Sequence, residues 1–320
     1  MQIAPGIHII EAPLGDRFVR TFALVGDQAV LLIDSGLDDT PANYILPYLQ
    51  SIGVTPFQIG YVLISHADLD HSGGNASLKA AAPQARFLCH ELDRRQIENV
   101  EALIAERYGE FAQPHGIDDS EESKAWTRSV TRHCPVDIGL RGGEQIRLGS
   151  DWVVEVLHTA GHSRGHLTVY DPASKTAIIA DAALWNAVLT KAGRPAFPPT
   201  YRYLESYRAS IQRLQSMEID LLLTSHYPIY RGAQVAEYLA ESRAYTDRVD
   251  ETLRQLLQSA TTALTLKEII ATLSPRLGTW PESARDYLSH PLSGHLEWMQ
   301  SCGLVERGES QGRAVYRWKG

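Results

Sequence analysis

The first 90 residues alternate apolar runs with short turns. "IHIIEA" and "TFALVGDQAVLLIDSG" predict strands joined as hairpins, with "GDQ" as one turn, and "QIGYVLIS" predicts a buried strand. "NYILPYLQSIG" has helical spacing and ends at Gly53, which is a typical helix stop. "NASLKAAAP" predicts a short helix and "ARFLCH" the next strand. The pattern therefore predicts a mixed α/β fold from its first part onward.

Residues 91–133 differ from the sequence around them. "ELDRRQIENVEALIAERYGEFAQ" is long, charged and helical in pattern, and "PHGIDDSEES" is an acidic loop. Strands resume at "EQIRLG", "WVVEVLHT", "HLTVYDP" and "TAIIADAA", and the strand "IDLLLTSH" lies between two predicted helices. We interpret 91–133 as a helical insertion in a strand-rich scaffold.

The pattern changes again from about residue 261. Three short helical patterns precede "LVERGESQGRAVYRWK", which predicts a hairpin, and this order is typical of a winged helix-turn-helix module. We predict a main domain at 1–258 and a winged-helix-like domain at 259–320. Acidic residues dilute the cations of the predicted wing, which favours a packing or dimer role over nucleic-acid binding.

Composition and charge narrow the partners. Hydrophobic residues make up 44% of the 320 residues, enough for a sizeable core, and the formal net charge is −8. This charge disfavours broad binding to nucleic acid or anionic membranes. Three separated cysteines, an N-terminus without signal-peptide features and no apolar run of membrane-spanning length predict a cytoplasmic protein. A small-molecule substrate fits these features, and a homodimer stays open.

Polar residues that bind metals follow several of the apolar strand patterns. The motif "HADLDH" comes directly after "QIGYVLIS", and ligand sites in α/β sheets gather beyond the carboxyl ends of strands. Imidazole and carboxylate groups bind zinc, iron or manganese, and two nearby metals need ligands from several segments. The candidate residues are Asp34, His66, Asp68, Asp70, His71, His162, Asp181 and His226.

The order and context of these motifs resemble the metallo-β-lactamase superfamily over residues 1–250. The resemblance implies an αββα sandwich with two divalent metal ions, zinc foremost, at one edge. It assigns His66, Asp68 and His162 to the first metal and Asp70, His71 and His226 to the second. Asp181 would bridge the two ions, and Asp34 would support the ligand loop through hydrogen bonds.

One position departs from the family pattern. The usual motif is H-x-H-x-D-H, whereas this chain has the sequence H-x-D-x-D-H with Asp68 in the third position. An oxygen ligand suits iron or manganese better than a purely zinc site, so both metals stay open beside zinc. Asp68 also prompts one alternative function, an iron-dependent redox enzyme.

The resemblance implies a metal-dependent hydrolase in which a metal-bound hydroxide attacks a small ester, lactone or thioester. Asp70 is the candidate catalytic residue for protonating the leaving group. An RNA-cleaving nuclease that uses the winged helix is a further alternative. Trp185, Tyr201 and His115 are candidates for the substrate pocket, although a structural role is the favoured explanation for each of them taken singly.

Overall fold

Two β-sheets form the centre of the protein, whose computed structural model describes residues 1–319. The first sheet has the order β1 to β7: Gln2–Ala4, Ile7–Leu14, Arg17–Val25, Val30–Ile33, Ile59–Leu63, Arg86–His90 and Ile138–Leu140. The second has the order β15-β14-β11-β10-β9-β8: Tyr230–Arg231, Leu221–Thr224, Thr176–Ala180, Leu167–Asp171, Val153–His158 and Gln145–Arg147. A separate ribbon pairs β12 (Val188–Leu189) with β13 (Pro195–Phe197).

Apolar residues on both faces of the strands explain why the sheets are covered on both sides. Successive side chains of a strand point to opposite faces. In β4, Leu31 and Ile33 pack into the core between the two sheets, whereas Val30 and Leu32 pack into the core on the outer face of the first sheet. Such strands need a partner layer on each side, which is the layered α/β architecture expected from the sequence.

Helices supply these outer layers. A helical turn at Pro41–Ile45 runs into α1 (Leu46–Ser51), and with α3 (Asn75–Ala81) it covers the first sheet. Helices α8 (Leu204–Gln215) and α9 (Ala233–Ser259) cover the second sheet. A short turn at Pro56–Gln58 and α2 (Leu69–Ser72) flank β5. The result is the predicted αββα sandwich.

The predicted insertion is helical but is divided into short pieces. These are α4 (Arg94–Glu98), α5 (Val100–Leu103) with a continuing turn at Ile104–Tyr108, α6 (Ala112–His115) and α7 (Glu121–Val130). Asn99 interrupts the pattern because its backbone is extended and its side chain accepts hydrogen bonds from the first N–H groups of α5. Gly116 ends α6 in the left-handed conformation.

Residues 259–319 form a C-terminal module of helices and a small sheet. Its elements are β16 (Leu264–Thr265), α10 (Leu266–Leu277), a helical turn at Glu282–Leu288, α11 (Ser289–Ser301), β17 (Val305–Ser310) and β18 (Arg313–Trp318). Helix α11 contains Pro291, which is tolerated because it lies in the first turn. The element order agrees with a winged helix, but that classification stays a prediction.

The C-terminal module packs directly on the sandwich. Leu253 and Leu257 of α9 share one apolar core with Leu266 and Ile269 of α10. This continuity fixes the position of the module beside the second sheet. Within residues 1–319, no helix has both the length and the apolar character that crossing a membrane requires.

Candidate metal centre

The polar residues that follow the strands meet at one edge of the sandwich. Within each of three overlapping groups, one ligand atom per residue lies within 4.8 Å of the others. The groups are His66, Asp68 and His162; Asp70, His71 and His226; and His66, His71 and Asp181. The structure therefore brings together all seven residues that the resemblance assigned to metal binding.

Hydrogen bonds fix the direction of the four imidazoles in this cluster. Each Nδ1 has a partner outside the cluster, which leaves Nε2 to face the centre. The pairs are His71 with the Asp34 carboxylate at 2.8 Å, His226 with the Phe18 carbonyl at 2.9 Å, His162 with the Thr200 carbonyl at 3.1 Å and His66 with the Ser65 hydroxyl at 3.0 Å. For the first three, the acceptor requires that Nδ1 carries the proton.

Asp34 holds the motif loop in place. This fully buried carboxylate accepts hydrogen bonds from the Ser65 N–H at 2.7 Å and the Ser65 hydroxyl at 2.8 Å, besides the bond from His71. Its backbone has a φ of 64°, a left-handed conformation that aspartate tolerates better than most residues. Asp34 thus ties the end of β4 to the loop after β5.

The buried charges favour a cation in the cluster. Burial alone would lower the pKa of His71, but the Asp70, Asp34 and Asp181 carboxylates raise it to about 10. Burial opposes the charge of Asp181, yet His226 and His71 hold the pKa of this carboxyl well below its usual range. The carboxylates therefore attract any positive charge that enters, whether a proton or a metal ion.

The pocket of Asp70, His71, His226 and Asp181 has dimensions that fit a divalent cation. The His226 Nε2 atom lies 3.4 Å from a carboxylate oxygen of both Asp70 and Asp181, and His71 Nε2 lies 3.8 Å from the same two oxygens. Ligand atoms around a tetrahedral metal with bonds of 2.0–2.2 Å lie roughly 3.3–3.6 Å apart. The His226 distances fall in this range, and the His71 distances are slightly longer. Two buried atoms here, His71 Nε2 and Asp181 Oδ1, have no hydrogen-bond partner among the described residues. We call Asp70, His71, His226 and Asp181 the second pocket.

A buried arginine lies in the other group. Arg107, from the helical turn at Ile104–Tyr108, donates to both Asp68 oxygens at 2.8 and 3.1 Å, and its Nη2 lies 3.1 Å from His162 Nε2. Burial opposes the Asp68 charge, but the Arg107 guanidinium and the hydrogen bond from His162 hold the pKa of Asp68 well below its usual range. We call His66, Asp68 and His162 the first pocket.

A cavity of about 400 Å³ opens above the cluster. Asp68, Asp70, Asp181, His162 and His226 lie at its base. The insertion and the C-terminal module contribute the walls, among them Phe111, Trp126, Asp286, Tyr287 and His290. The metal-ligand candidates are thus accessible to a small molecule, which meets a partly apolar surface.

The three residues that sequence reasoning placed in the substrate pocket lie outside the lining of this cavity. Tyr201 is fully buried, and its hydroxyl lies 2.9 Å from His295 Nε2. Trp185 follows Asp181 closely in sequence, but its side chain packs against the core beside α9. His115 stacks against Tyr316 of the C-terminal hairpin. Proximity along the chain did not determine the direction of these side chains.

Sequence reasoning missed Arg107 and the wall residues of the C-terminal module. The signal for Arg107 was indirect, since a buried carboxylate such as Asp68 in place of the usual histidine needs a compensating cation. Several arginines in the insertion satisfy that requirement equally well in the sequence. Tyr287 and His290 gave no signal because their contact with the cavity depends on how the module packs.

Comparisons with known proteins agree with this geometry. A family model described as the metallo-beta-lactamase superfamily matches residues 14–226. A metallo-beta-lactamase family protein from Thermus thermophilus has 23% sequence identity and a TM-score of 0.76, with 99% of each chain covered. A beta-lactamase domain protein from Burkholderia ambifaria has 20% identity and a TM-score of 0.77, covering 100% of this chain and 94% of the other.

A curated sequence relative is a hydroxyacylglutathione hydrolase from Nitrosococcus oceani. It is 24% identical over 131 residues, which is 41% of this chain and 36% of the relative. The match thus spans about a third of the length of that enzyme. The structural similarities support the fold, and the family model covers the strands and loops that carry the cluster.

Proposed function

Since the chain belongs to the metallo-β-lactamase superfamily and is a metallohydrolase, we propose that it hydrolyses a small, partly apolar ester, lactone or thioester. The observation that carries the proposal is the position of the ligand cluster at the base of a cavity of about 400 Å³. That volume suits a small molecule. The similarity to a hydroxyacylglutathione hydrolase supports the thioester class.

His71, His226, Asp70 and Asp181 would hold the metal ion. A divalent ion bound there supplies a water of lowered pKa and polarises the substrate carbonyl. The chain itself provides the fixed imidazole directions and keeps the cluster largely buried. Zinc, iron and manganese all accept this mixture of imidazole and carboxylate ligands.

Asp70 is the proposed proton carrier. Its carboxylate lines the cavity and lies beside His226 and His71. Hydrolysis adds water across the carbonyl, breaks the C–O or C–S bond and transfers one proton from the water to the leaving group. A carboxylate at the base of the cavity is placed to accept that proton and return it to the departing oxygen or sulfur.

The charge around the cavity favours a compact substrate over RNA. Asp118, Asp119 and Asp286 lie on its lining, whereas Arg17 and Arg107 are its arginines among the described residues. Arg107 is already paired with Asp68. A phosphate backbone would meet mostly like charge, which opposes binding.

We propose that the C-terminal module, a winged helix by its element order, acts as a cavity wall rather than as a reader of nucleic acid. Buried Arg202 joins the two parts because it forms a forked pair with Glu297 of α11 at 2.6 and 2.8 Å. It also donates to Glu110 of the insertion at 2.9 Å. Arg313 donates to main-chain carbonyls of α6. These contacts hold the module against the cavity.

A substrate panel tests the proposal. Metal-loaded protein is incubated with small lactones, simple esters, glutathione thioesters and a short RNA, and product formation is followed with and without a chelator. We expect chelator-sensitive hydrolysis of at least one carbonyl substrate and no cleavage of RNA. Metal-dependent RNA cleavage without turnover of any carbonyl substrate would contradict the proposal.

A further inference from the structure

We propose that the Arg107 guanidinium takes the place of one metal ion, so that the centre holds a single divalent cation in the second pocket. This inference rests on the metal-binding part of the proposed function and is independent of the substrate class. It differs from the two-metal expectation drawn from the family resemblance. Its basis is the geometry of the first pocket.

The Nε2 atom of His162 already has two polar neighbours in the first pocket. Nδ1 lies 3.1 Å from the Thr200 carbonyl oxygen, an acceptor, so Nδ1 donates a hydrogen bond to it. Nε2 faces the first pocket, where it lies 2.9 Å from Asp68 Oδ2 and 3.1 Å from Arg107 Nη2. A metal ion bound to Nε2 would lie against the positively charged guanidinium of Arg107, which repels it. Binding an ion through His162 therefore requires that Arg107 moves away.

Arg107 is held by several contacts. Its Nε and Nη2 groups fork onto the two Asp68 oxygens at 2.8 and 3.1 Å, and Nη1 donates to the His162 carbonyl at 3.0 Å. The side chain is only 6% exposed. A planar guanidinium matched to a carboxylate in this way is a specific arrangement that lysine or a mobile surface arginine does not reproduce. Moving it would leave a buried charge without its partner.

The departure from the family motif fits the same explanation. A histidine in the third motif position would give Arg107 no carboxylate to pair with, whereas Asp68 neutralises it. The second pocket lacks such an occupant, because the nearest charged partners of His71 and His226 there are the carboxylates of Asp70 and Asp181. Asp68 is then a partner for arginine, and it gives no reason to prefer iron or manganese over zinc.

Metal stoichiometry of the full chain tests the inference. Chelator-stripped protein is reloaded with excess Zn²⁺, desalted, and measured for metal per chain by mass spectrometry, with titration calorimetry as a second count. We expect one equivalent. Two equivalents would overturn the inference and leave the proposed function intact, whereas no tight binding would contradict the proposed metal centre itself.

A second measurement on the unaltered protein avoids any folding problem of variants. Reloading with Mn²⁺ should give the electron paramagnetic resonance signal of an isolated ion. A spin-coupled signal from two neighbouring ions would overturn the inference.

Variants sharpen the test. His162→Ala should keep one equivalent, whereas His226→Ala should weaken binding by more than about 100-fold, since changes outside the ligand shell alone cost 10–100-fold. Loss of one of two equivalents in His162→Ala would contradict the inference.

Asp68→His combined with Arg107→Ala restores the usual motif and should raise the metal count to two. A metal count that stays at one would contradict the inference. Arg202→Ala, which removes another buried and paired arginine, is the matched control and should stay at one.

Discussion

The base and the module wall of the cavity are built in different ways. The base consists of the metal-ligand candidates at the strand ends, and the module wall consists of Ser283, Asp286, Tyr287, Ser289 and His290. Base imidazoles have both a fixed Nδ1 partner and almost no exposure, as His71 shows with its bond to Asp34. Tyr287 of the module wall is 47% exposed and contacts the ring of Phe197.

This difference separates chemistry from selection of the substrate. A ligand that must hold a cation needs a side chain whose direction is fixed before the cation arrives. A wall that contacts the non-reacting part of a substrate needs mainly area and shape. We therefore expect changes in the base to affect metal binding and turnover, and changes in the module wall to affect substrate binding.

The largest effect is expected from His71→Ala, because it removes a ligand candidate of the second pocket. Without the metal, the transition state loses several kcal/mol of stabilisation, and kcat should fall by about 1,000-fold or more. Chelator treatment of the unaltered protein should give the same loss of activity. Added metal should restore the chelator-treated protein but not the His71→Ala variant. His133→Ala, an exposed histidine away from the cavity, is the control and should retain activity. Full turnover by His71→Ala would contradict a metal centre in the base.

A smaller effect is expected from Asp34→Asn, because Asp34 orients His71 without belonging to the ligand set. Asparagine tolerates the left-handed backbone, so the variant changes charge and hydrogen bonding rather than the turn. Metal affinity should fall about 10–100-fold, measured by competition with a chelator of known affinity. Asp39→Asn, which alters a carboxylate bonded to Asn43, should leave the affinity unchanged. Equal affinities in both variants would show that Asp34 does not position the ligand.

The sequence predicted the base well because strand order and local motifs determine it. Asp34, "HADLDH" and His226 each come after a continuous apolar strand. Parallel pairing of β4 with β5 and of β11 with β14 brings the ends of these strands together. The identity of these residues was therefore enough to place them near one another. Asp34 at the end of β4 illustrates this, since its partner Ser65 directly precedes the motif.

The module wall and the arginine of the first pocket could not be predicted by the same reasoning. Tyr287 reaches the cavity only because α10 and α11 pack on α9, a contact between segments far apart in sequence. Arg107 reaches Asp68 because Asn99 breaks the insertion and redirects the helix. Hydrophobic periodicity identifies such helices but does not determine the angles at which they pack.

A moderate effect on substrate binding is expected from Tyr287→Ala. The substitution should remove about 1 kcal/mol of contact between the aromatic ring and an apolar substrate, so KM should rise about 5-fold. The values of kcat and metal content should stay nearly unchanged. Steady-state kinetics and metal analysis separate these quantities. Phe57→Ala removes an aromatic ring that is 83% exposed and lies outside the cavity lining, and it should leave KM unchanged. A fall in kcat with constant KM would place Tyr287 in the chemistry instead.

The smallest effect on activity is expected from Tyr201→Phe, which tests whether this residue belongs to the core rather than to the module wall. The variant leaves His295 Nε2 buried without its partner at 2.9 Å, so the free energy of unfolding should fall by about 1–3 kcal/mol. Because the side chain lies outside the cavity lining, kcat/KM should stay within about 2-fold of its original value. This change corresponds to less than about 0.5 kcal/mol, which is the size of a neutral substitution. Tyr245→Phe is the matched control, since this equally buried hydroxyl has no hydrogen-bond partner among the described residues. Chemical denaturation and kinetics of both variants decide the matter: a large rise in KM for Tyr201→Phe at unchanged stability would place it at the substrate after all.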